Sequence, residues 1–461
     1  MEMNTLLDLT PKRNRHTIAP VRIICFSFLL IILVGTILLT LPISSKAGTV
    51  TSPLNCLFTA TSATCVTGLV VYDTFTQWTP FGQGVILVLI QLGGLGLVSF
   101  TTFFTLSIRG KLGLRDLRIA GEHMNFGSLD GIQSVMNTII RVTLLCEGIG
   151  AILLMFRFIP MFGLEGIFVS VFMAVSAYCN AGFDLLGQLE PGANLTVIAD
   201  DWFVQLVLAA LIIVGGLGFI VFHDIFTSRR HHEKVHNLML HSKIVLITTG
   251  LLLLIGTVLI FILEYNHTLS GKPLWEKAVN SFFSSTTART AGFNVINYGE
   301  AVPLTKMLTC VLMFIGASPG GTGGGVKTST LFVLLMTVYS VMRGFEDTTT
   351  FKRRVGRSTI YKAIALVFFS IMLLTISTIL LMIFDSDQSG LNLLFETTSA
   401  FSTTGLSAIG SGNLSAPSKI VLILLMYIGR VGPISFILTL NSTYGSKGKN
   451  MTLPEGKVMV G

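Results

Sequence analysis

Eight runs of apolar residues set the terms on which this chain can fold. They lie at Val21–Leu41, Gly82–Leu106, Val135–Phe158, Phe203–Phe226, Ile244–Leu263, Thr305–Met342, Ile360–Phe384 and Ile420–Leu440. About 20 apolar residues cross the ~30 Å hydrocarbon core of a bilayer as a helix, so each run is a candidate membrane span. The sixth is too long for one span and is interrupted by a glycine-rich stretch. Charged residues are 12% of the 461, against about 25% in soluble domains, and the mean hydropathy is +0.76. No polar linker is long enough to divide the chain into soluble domains. It is expected to be a single all-α polytopic membrane protein.

A shorter, half-apolar stretch lies between the two runs of each successive pair: Leu54–Cys65, Gly166–Cys179, Glu276–Ala288 and Leu391–Thr403. Each is long enough for three or four helical turns and too short to cross, which is the signature of a re-entrant helix. With this topology Lys12, Arg13, Arg15 and Arg22 share one side with Arg109, Lys111, Arg115, Arg118, Arg229, Arg230, Lys234 and Lys243. Arg343, Lys352, Arg353, Arg354, Arg357, Lys362, Lys447, Lys449 and Lys457 join them, while the opposite loops hold Lys46, Arg157, Lys272, Lys277, Lys306 and Lys419. The positive-inside rule then makes both termini cytoplasmic. The net charge of +8 is thereby read as topology and attraction to an anionic inner leaflet, not as nucleic-acid binding. The first run is too long for a signal-peptide core and has no small-residue cleavage site, so it is expected to stay as a helix. Cys25, Cys56, Cys65, Cys146, Cys179 and Cys310 lie in or beside apolar runs without metal-type spacing and read as small packing residues.

Directly after each short stretch comes a similar peptide: Cys65-Val66-Thr67-Gly68-Leu69, Cys179-Asn180-Ala181-Gly182-Phe183, Arg289-Thr290-Ala291-Gly292-Phe293 and Ser402-Thr403-Thr404-Gly405-Leu406. The glycines recur about every 110 residues, a period that marks internal repeats. A second set, Gly93, Gly215, Gly316 and Gly429, follows downstream in each repeat. Glycine abundance in membrane helices accounts for the second set, but not for a small residue, Gly and Leu or Phe at one place in all four. The repeats are placed at 21–107, 134–227, 243–342 and 360–440, flanked by an N-terminal segment at 1–20 and a C-terminal tail at 441–461 too polar to span.

Non-helical backbone at membrane depth is tolerated only when buried in protein or lining a watery cavity. A potassium filter uses that exception, with successive carbonyl oxygens replacing the ion's hydration shell. Turning consecutive carbonyls the same way demands alternating dihedrals, and glycine takes positive φ without steric cost. The short helix ahead of each loop would also aim its partly negative C-terminal end at the cation.

These four loops, the glycine-rich break in the sixth run and Arg430 in the last together resemble the Trk/Ktr/HKT superfamily of potassium transporters over essentially the whole chain. The likeness is strongest to the membrane subunit of bacterial Ktr systems, because there are eight runs and no extra N-terminal pair. The resemblance implies four repeats around one pseudo-fourfold pore in the cell membrane, with potassium held by filter backbone carbonyls and no cofactor on this chain. It further implies a homodimer and a cytosolic ring of nucleotide-binding regulatory subunits, and leaves open whether sodium acts as an activator. In some plant relatives the first filter glycine is serine and accompanies sodium transport; here it is Gly68, which favours potassium.

The stretch Gly316-Ala317-Ser318-Pro319-Gly320-Gly321-Thr322-Gly323-Gly324-Gly325-Val326-Lys327 cannot remain helical at about 1 kcal/mol per Gly and about 3 per Pro. It resembles the intramembrane gating loop of the family; a passive kink packed on a neighbour is the alternative. Gly325-Val326-Lys327-Thr328 is not a Walker A loop, because valine separates Gly from Lys and a membrane helix precedes it. Arg430 matches the family's pore-facing arginine, which would oppose cation passage and pair with the gating loop; a buried salt bridge or a snorkelling anchor is the other reading. Arg289 is expected behind its loop, bonded to carbonyls of the short helix or to Glu396. Asp73 and Asp184 either concentrate cations at the outer mouth or are solvated loop charges. Arg229-Arg230-His231-His232-Glu233-Lys234, with His236 and His241, reads as a solvated face toward the regulatory ring or lipid, with metal binding as the weaker alternative. An ion-coupled secondary transporter is the competing function, though every glycine loop enters from one face, unlike inverted repeats. No paired acids or nucleophile with its base appear inside the runs, so an enzyme is not expected.

Overall fold

The structure is a computed structural model, and it describes residues 20–96, 132–230, 238–351 and 353–433. In chain order the helices are α1 (Pro20–Thr40), α2 (Pro53–Cys65), α3 (Thr74–Gln77), α4 (Pro80–Leu95), α5 (Ile132–Phe162), α6 (Glu165–Tyr178), α7 (Trp202–Leu217) and α8 (Phe219–Arg230). They continue with α9 (Leu240–Glu264), α10 (Leu274–Thr287), α11 (Pro303–Phe314), α12 (Thr328–Met342), α13 (Arg357–Phe384), α14 (Gly390–Ser402) and α15 (Ala416–Val431). We group them as unit 1 (α1–α4), unit 2 (α5–α8), unit 3 (α9–α12) and unit 4 (α13–α15). A two-residue hairpin, Thr349–Thr350 with Arg353–Arg354, joins units 3 and 4.

Each unit opens with a long helix, and the segments Arg22–Thr40, Thr138–Phe162, Leu240–Glu264 and Arg357–Phe384 have the length and apolar composition to cross a membrane. Their exposed faces are apolar, as Leu254, Ile262 and Phe368 illustrate. Each long helix packs on the short helix of its own unit: α1 on α2, α5 on α6, α9 on α10 and α13 on α14. The four short helices are 13 or 14 residues long and match the expected stretches to within two residues at either end.

The second helices depart from expectation. Hydropathy reads Gly82–Leu106, Phe203–Phe226 and Ile420–Leu440 as continuous spans, yet α4 stops at Leu95, α7 at Leu217 and α15 at Val431. Each is followed by a glycine in the left-handed region, Gly96 at φ 75°, Gly218 at 92° and Gly432 at 94°, a conformation that ends a right-handed helix. After Gly218 the chain resumes as α8 at 89° to α7. Hydropathy counts glycine as permissive and is blind to φ, so among the described residues the eight candidate runs yield four straight spans and one bent pair. The continuations beyond Gly96 and Pro433 lie outside the described residues. The sixth run divides into α11 and α12 around 315–327, as its composition predicts.

The second glycine set serves close approach. A Cβ at Gly93 would overlap the carbonyl oxygen of Thr64, one at Gly215 that of Tyr178, and one at Gly429 that of Phe401. These are last-turn carbonyls of α2, α6 and α14, so three second helices lie directly against the ends of their short helices. In unit 3 the equivalent Gly316 instead meets the carbonyl of Gly324 in the intervening loop. Each second helix also packs on the short helix of the next unit, α4 on α6, α7 on α10, α11 on α14, and α15 back on α2. The units therefore close in cyclic order.

Polar ties fasten the two long elements of each unit at one end. Thr79 Oγ1 donates to Ile43 O at 2.7 Å, Arg157 meets Asp201 at 3.3 Å, Glu264 accepts from Val302 N at 3.0 Å, and Asp385 accepts from Ser415 N at 3.0 Å.

Gly93→Ala should destabilise the protein by about 1–3 kcal/mol through overpacking, lowering the melting temperature in detergent. Gly84→Ala, where a Cβ meets nothing within 4 Å, should be neutral or slightly stabilising. Equal melting temperatures for the two variants would contradict the close-approach account.

Candidate functional site

All four short helices end in a non-helical loop with one dihedral pattern. Val66, Asn180, Thr290 and Thr403 take φ of 57°, 60°, 71° and 51°, and two residues later Gly68, Gly182, Gly292 and Gly405 take 91°, 69°, 83° and 94°. Left-handed dihedrals thus fall on alternate residues, as carbonyls turned to one side require. The expectation named glycine as the residue that takes positive φ without steric cost; the residue two before it takes positive φ as well. Three of the four preceding positions are β-branched, where this conformation costs about 1–3 kcal/mol each and persists only when the surroundings impose it.

In units 1, 2 and 4 the surroundings are alike. Thr67 N, Ala181 N and Thr404 N donate to Ser62 O, Ser176 O and Ser399 O at 2.8, 2.7 and 2.8 Å, closing the helix with a six-residue bond of the Schellman type. The Ser62 and Ser399 hydroxyls accept from Gly68 N at 3.1 Å and Gly405 N at 3.0 Å. Unit 3 is wound differently, with Ala291 N bonding Thr287 O at 2.9 Å. Leu69, Phe183, Phe293 and Leu406, one residue beyond each glycine, are buried and anchor the loops from behind.

The four loops meet. A Cβ on Gly68 would approach Ala181 O at 2.5 Å and one on Gly182 would approach Ala291 O at 2.7 Å. On Gly292 it would overlap Thr404 O, and on Gly405 it would overlap Thr67 O. Each glycine therefore faces the carbonyl of the next loop around a closed ring.

The segment 315–327 lies against one end of this ring. Ile315 and Val326 form a parallel bridge at its neck. Ser318 N and Thr322 N donate to Gly216 O at 3.1 Å and Gly215 O at 3.2 Å, while Phe219 N donates to Gly320 O at 3.0 Å. The loop thereby satisfies backbone groups that the break after α7 leaves open. A Cβ on Gly323 would overlap Thr290 Oγ1, and one on Gly324 would overlap Thr403 Oγ1. Lys327 Nζ reaches Gly323 O at 2.6 Å. Arg430 donates to Thr322 O, to Gly93 O and, at 3.1 Å, to Gly94 O. Among the described residues neither cation forms an ion pair, so both end on carbonyls. Among the described residues Arg430 is in no salt bridge, and it ties the loop to the end of α4.

Arg289 does sit behind its loop, but it does not pair with Glu396. Its Nη2 donates to Thr249 Oγ1 of α9 at 3.3 Å, and its Nε has no partner. Glu396 is saturated by its own unit: it accepts from Ser407 Oγ, Ala408 N at 3.0 Å, Ile409 N at 3.3 Å and Ser411 Oγ at 3.3 Å. Four local donors one short loop away outcompete a cation from another unit.

Comparison with known proteins decides the family. The family model described as TrkH, cation transport protein, matches residues 6–447. This chain belongs to the TrkH family of cation transport proteins. It is 37% identical over 462 residues to the potassium/sodium uptake protein NtpJ of Enterococcus hirae, covering 99% of this chain and 100% of the relative. It is also 37% identical over 448 residues to the Ktr system potassium uptake protein B of Bacillus subtilis, covering 96% and 97%. The crystal structure of the potassium transporter TrkH from Vibrio parahaemolyticus shares the fold with a TM-score of 0.73 at 16% identity, over 94% of this chain and 88% of that one. The family consists of cation transport proteins, not enzymes.

Other residues of this TrkH-family chain take structural places. Asp73 caps α3 by accepting from Thr76 N at 2.7 Å and also accepts from Gly192 N at 3.1 Å, joining the loops that follow Gly68 and Gly182. Asp184 accepts from Leu186 N at 2.9 Å. Burial pushes its carboxyl up to about 7 and the Asp73 carboxylate adds to this, against the Leu186 N–H. The sequence reading missed Glu147, a buried carboxylate in α5 that accepts from Gln91 Nε2 at 3.3 Å; a single acid in an apolar run gave no pattern to notice. His231, His232, Glu233, Lys234 and His236 lie outside the described residues, as do Arg109, Lys111, Arg115, Arg118, Lys352 and the segments 1–19 and 434–461.

Removing the Glu396 carboxylate leaves buried N–H groups without acceptors at about 1–3 kcal/mol each. Glu396→Leu should therefore lose more thermal stability than Glu396→Gln, which keeps one acceptor oxygen. Equal melting temperatures would contradict the clamp.

Proposed function

We propose that this chain takes up potassium across the cell membrane, as a gated passive conduit whose selective element is the ring of four glycine loops. The observation that carries the reading is the cyclic facing of Gly68, Gly182, Gly292 and Gly405 with left-handed dihedrals on alternate residues. Backbone at 66–69, 180–183, 290–293 and 403–406 would supply carbonyl oxygens in place of water. The C-terminal ends of α2, α6, α10 and α14 would add negative potential. The relatives named as potassium uptake proteins support the cargo. The membrane potential alone would supply about 2.3 kcal/mol per charge per 100 mV, so no coupled reaction is needed. Cyclic packing of four like units favours this over an inverted-repeat secondary transporter.

The four units are the repeats, with both termini on the cytoplasmic side. Gly316, Ser318, Gly320, Gly321, Thr322, Gly323, Gly324, Gly325 and Lys327, with Arg430, form the gate. Held against Thr290 and Thr403, the loop blocks the path from the ring toward the cytoplasm, and the Arg430 and Lys327 bonds to loop carbonyls hold it shut. Opening requires those bonds to break, an event that a cytosolic nucleotide-binding ring acting on a homodimer would drive. The relative named for potassium and sodium supports a second reading in which sodium is also carried.

In cells lacking their own uptake systems, the protein should restore growth at low potassium, and Gly68→Ser should weaken discrimination against sodium. No potassium uptake even with a regulatory partner supplied would refute the proposal. Arg430→Ala should raise uptake about tenfold, the equivalent of losing one charge-assisted hydrogen bond of about 1.5 kcal/mol; an unchanged rate would remove Arg430 from the gate.

A further inference from the structure

Ten residues before each glycine of the second set, at one place in all four second helices, stand Gln83, Gln205, Lys306 and Lys419. All four are polar, and their exposures are 4%, 1%, 7% and 9%, so none is a solvated surface group. Each spends its side chain on one kind of bond. Gln83 Nε2 donates to Trp78 O at 3.0 Å, Gln205 Nε2 to Ala199 O at 2.8 Å, Lys306 Nζ to Gly299 O at 3.0 Å, and Lys419 Nζ to Gly412 O at 3.1 Å. Every acceptor lies in the loop that runs from the unit's filter glycine to its second helix. A buried polar group repeated four times with the same partner class is a device, since an unpaired one would cost about 1–3 kcal/mol.

These loops form a second ring beside the glycine ring. Gly192 N donates to Asp73 at 3.1 Å, joining loops 1 and 2, and Asn294 N donates to Asn194 Oδ1 at 3.1 Å, joining loops 2 and 3. A Cβ on Gly299 would lie 3.3 Å from Ala408 O, and one on Gly412 would lie 2.8 Å from Val71 O, so loop 3 touches loop 4 and loop 4 touches loop 1. Of the four anchors, Lys306 also reaches a neighbouring unit, donating to Asn392 Oδ1 in the first turn of α14 at 3.0 Å. One ammonium thus fixes the loop leaving Gly292 and the short helix leading to Gly405.

We infer that these four residues are positioning residues for the mouth of the filter, and that Lys306 sets the spacing between filter loops 3 and 4 and thereby the discrimination among alkali cations. The inference rests on the potassium-conduit reading above. A filter loop has two ends: its short helix fixes one and the anchored outer loop fixes the other. Selection by carbonyls depends on where those oxygens are held. The units differ in the anchor's charge, and the two ammoniums occur where Glu264 and Asp385 end the preceding long helices. The shared requirement is a donor, which glutamine meets in units 1 and 2.

The test uses the full chain in lipid vesicles, following rubidium uptake against competing potassium or sodium. Lys306→Met keeps the length and apolar stem but donates nothing. It should lower the potassium-to-sodium competition ratio about three- to tenfold, less than the full worth of a charge-assisted bond, while Lys306→Gln should recover most of it. Asn392→Leu, which removes only the bond between units, should shift the ratio in the same direction and serves where Lys306→Met is not recovered folded. A wild-type ratio in Lys306→Met or Asn392→Leu, even with a lowered melting temperature, would overturn the inference by showing a purely structural staple. A Lys306→Gln variant as impaired as Lys306→Met would also overturn it. A wild-type protein that carries no rubidium even with a regulatory partner supplied would overturn the conduit reading instead.

Discussion

Backbone that is not helical is tolerated at membrane depth only when it is buried in protein or lines a watery cavity, and this chain brings five non-helical segments together. Four are the glycine loops and the fifth is 315–327. Several of their N–H and C=O groups are met by short-helix carbonyls, by the serines Ser62 and Ser399, by the ends of broken helices, and by Arg430 and Lys327. The broken second helices belong to the same solution. A helix that ends at Gly218 exposes carbonyls, and the loop of unit 3 uses those of Gly215 and Gly216.

Left-handed backbone at Val66, Thr290 and Thr403 shows where the strain is held. Such conformations are not chosen locally by β-branched residues. Bonds to the short-helix carbonyls and the close contact of each glycine with the next loop surround them. The closeness of glycine to the next loop's carbonyl leaves no room for a side chain at any of the four positions. A side chain at any one of them would press on the backbone of a second unit.

Much of this was legible in the sequence. Apolar runs of full length gave the four long helices, stretches of about 13 residues gave the short ones, and the recurring small-residue, glycine, Leu or Phe peptide located the four loops. The glycine-rich composition of 316–327 foretold its loss of helix. Other features were not legible for physical reasons. Gly96, Gly218 and Gly432 break their helices through φ, which hydropathy does not register. Arg289 and Glu396 look like partners when only charge is counted, yet the choice depends on which donors lie nearer in space. The Gln83, Gln205, Lys306 and Lys419 set stands at one offset in the sequence, but it mixes amides with ammoniums, and its common role shows only once each donor is seen on its loop carbonyl.

The central claim is that the four glycine loops together hold the transported cation. Thallium-soaked crystals of the protein, examined by anomalous diffraction, address it directly. The account predicts anomalous density on the axis of the ring, shared among the carbonyl oxygens of Thr67, Ala181, Ala291 and Thr404. Density confined to some other part of the membrane domain, with the ring empty at saturating thallium, would contradict it.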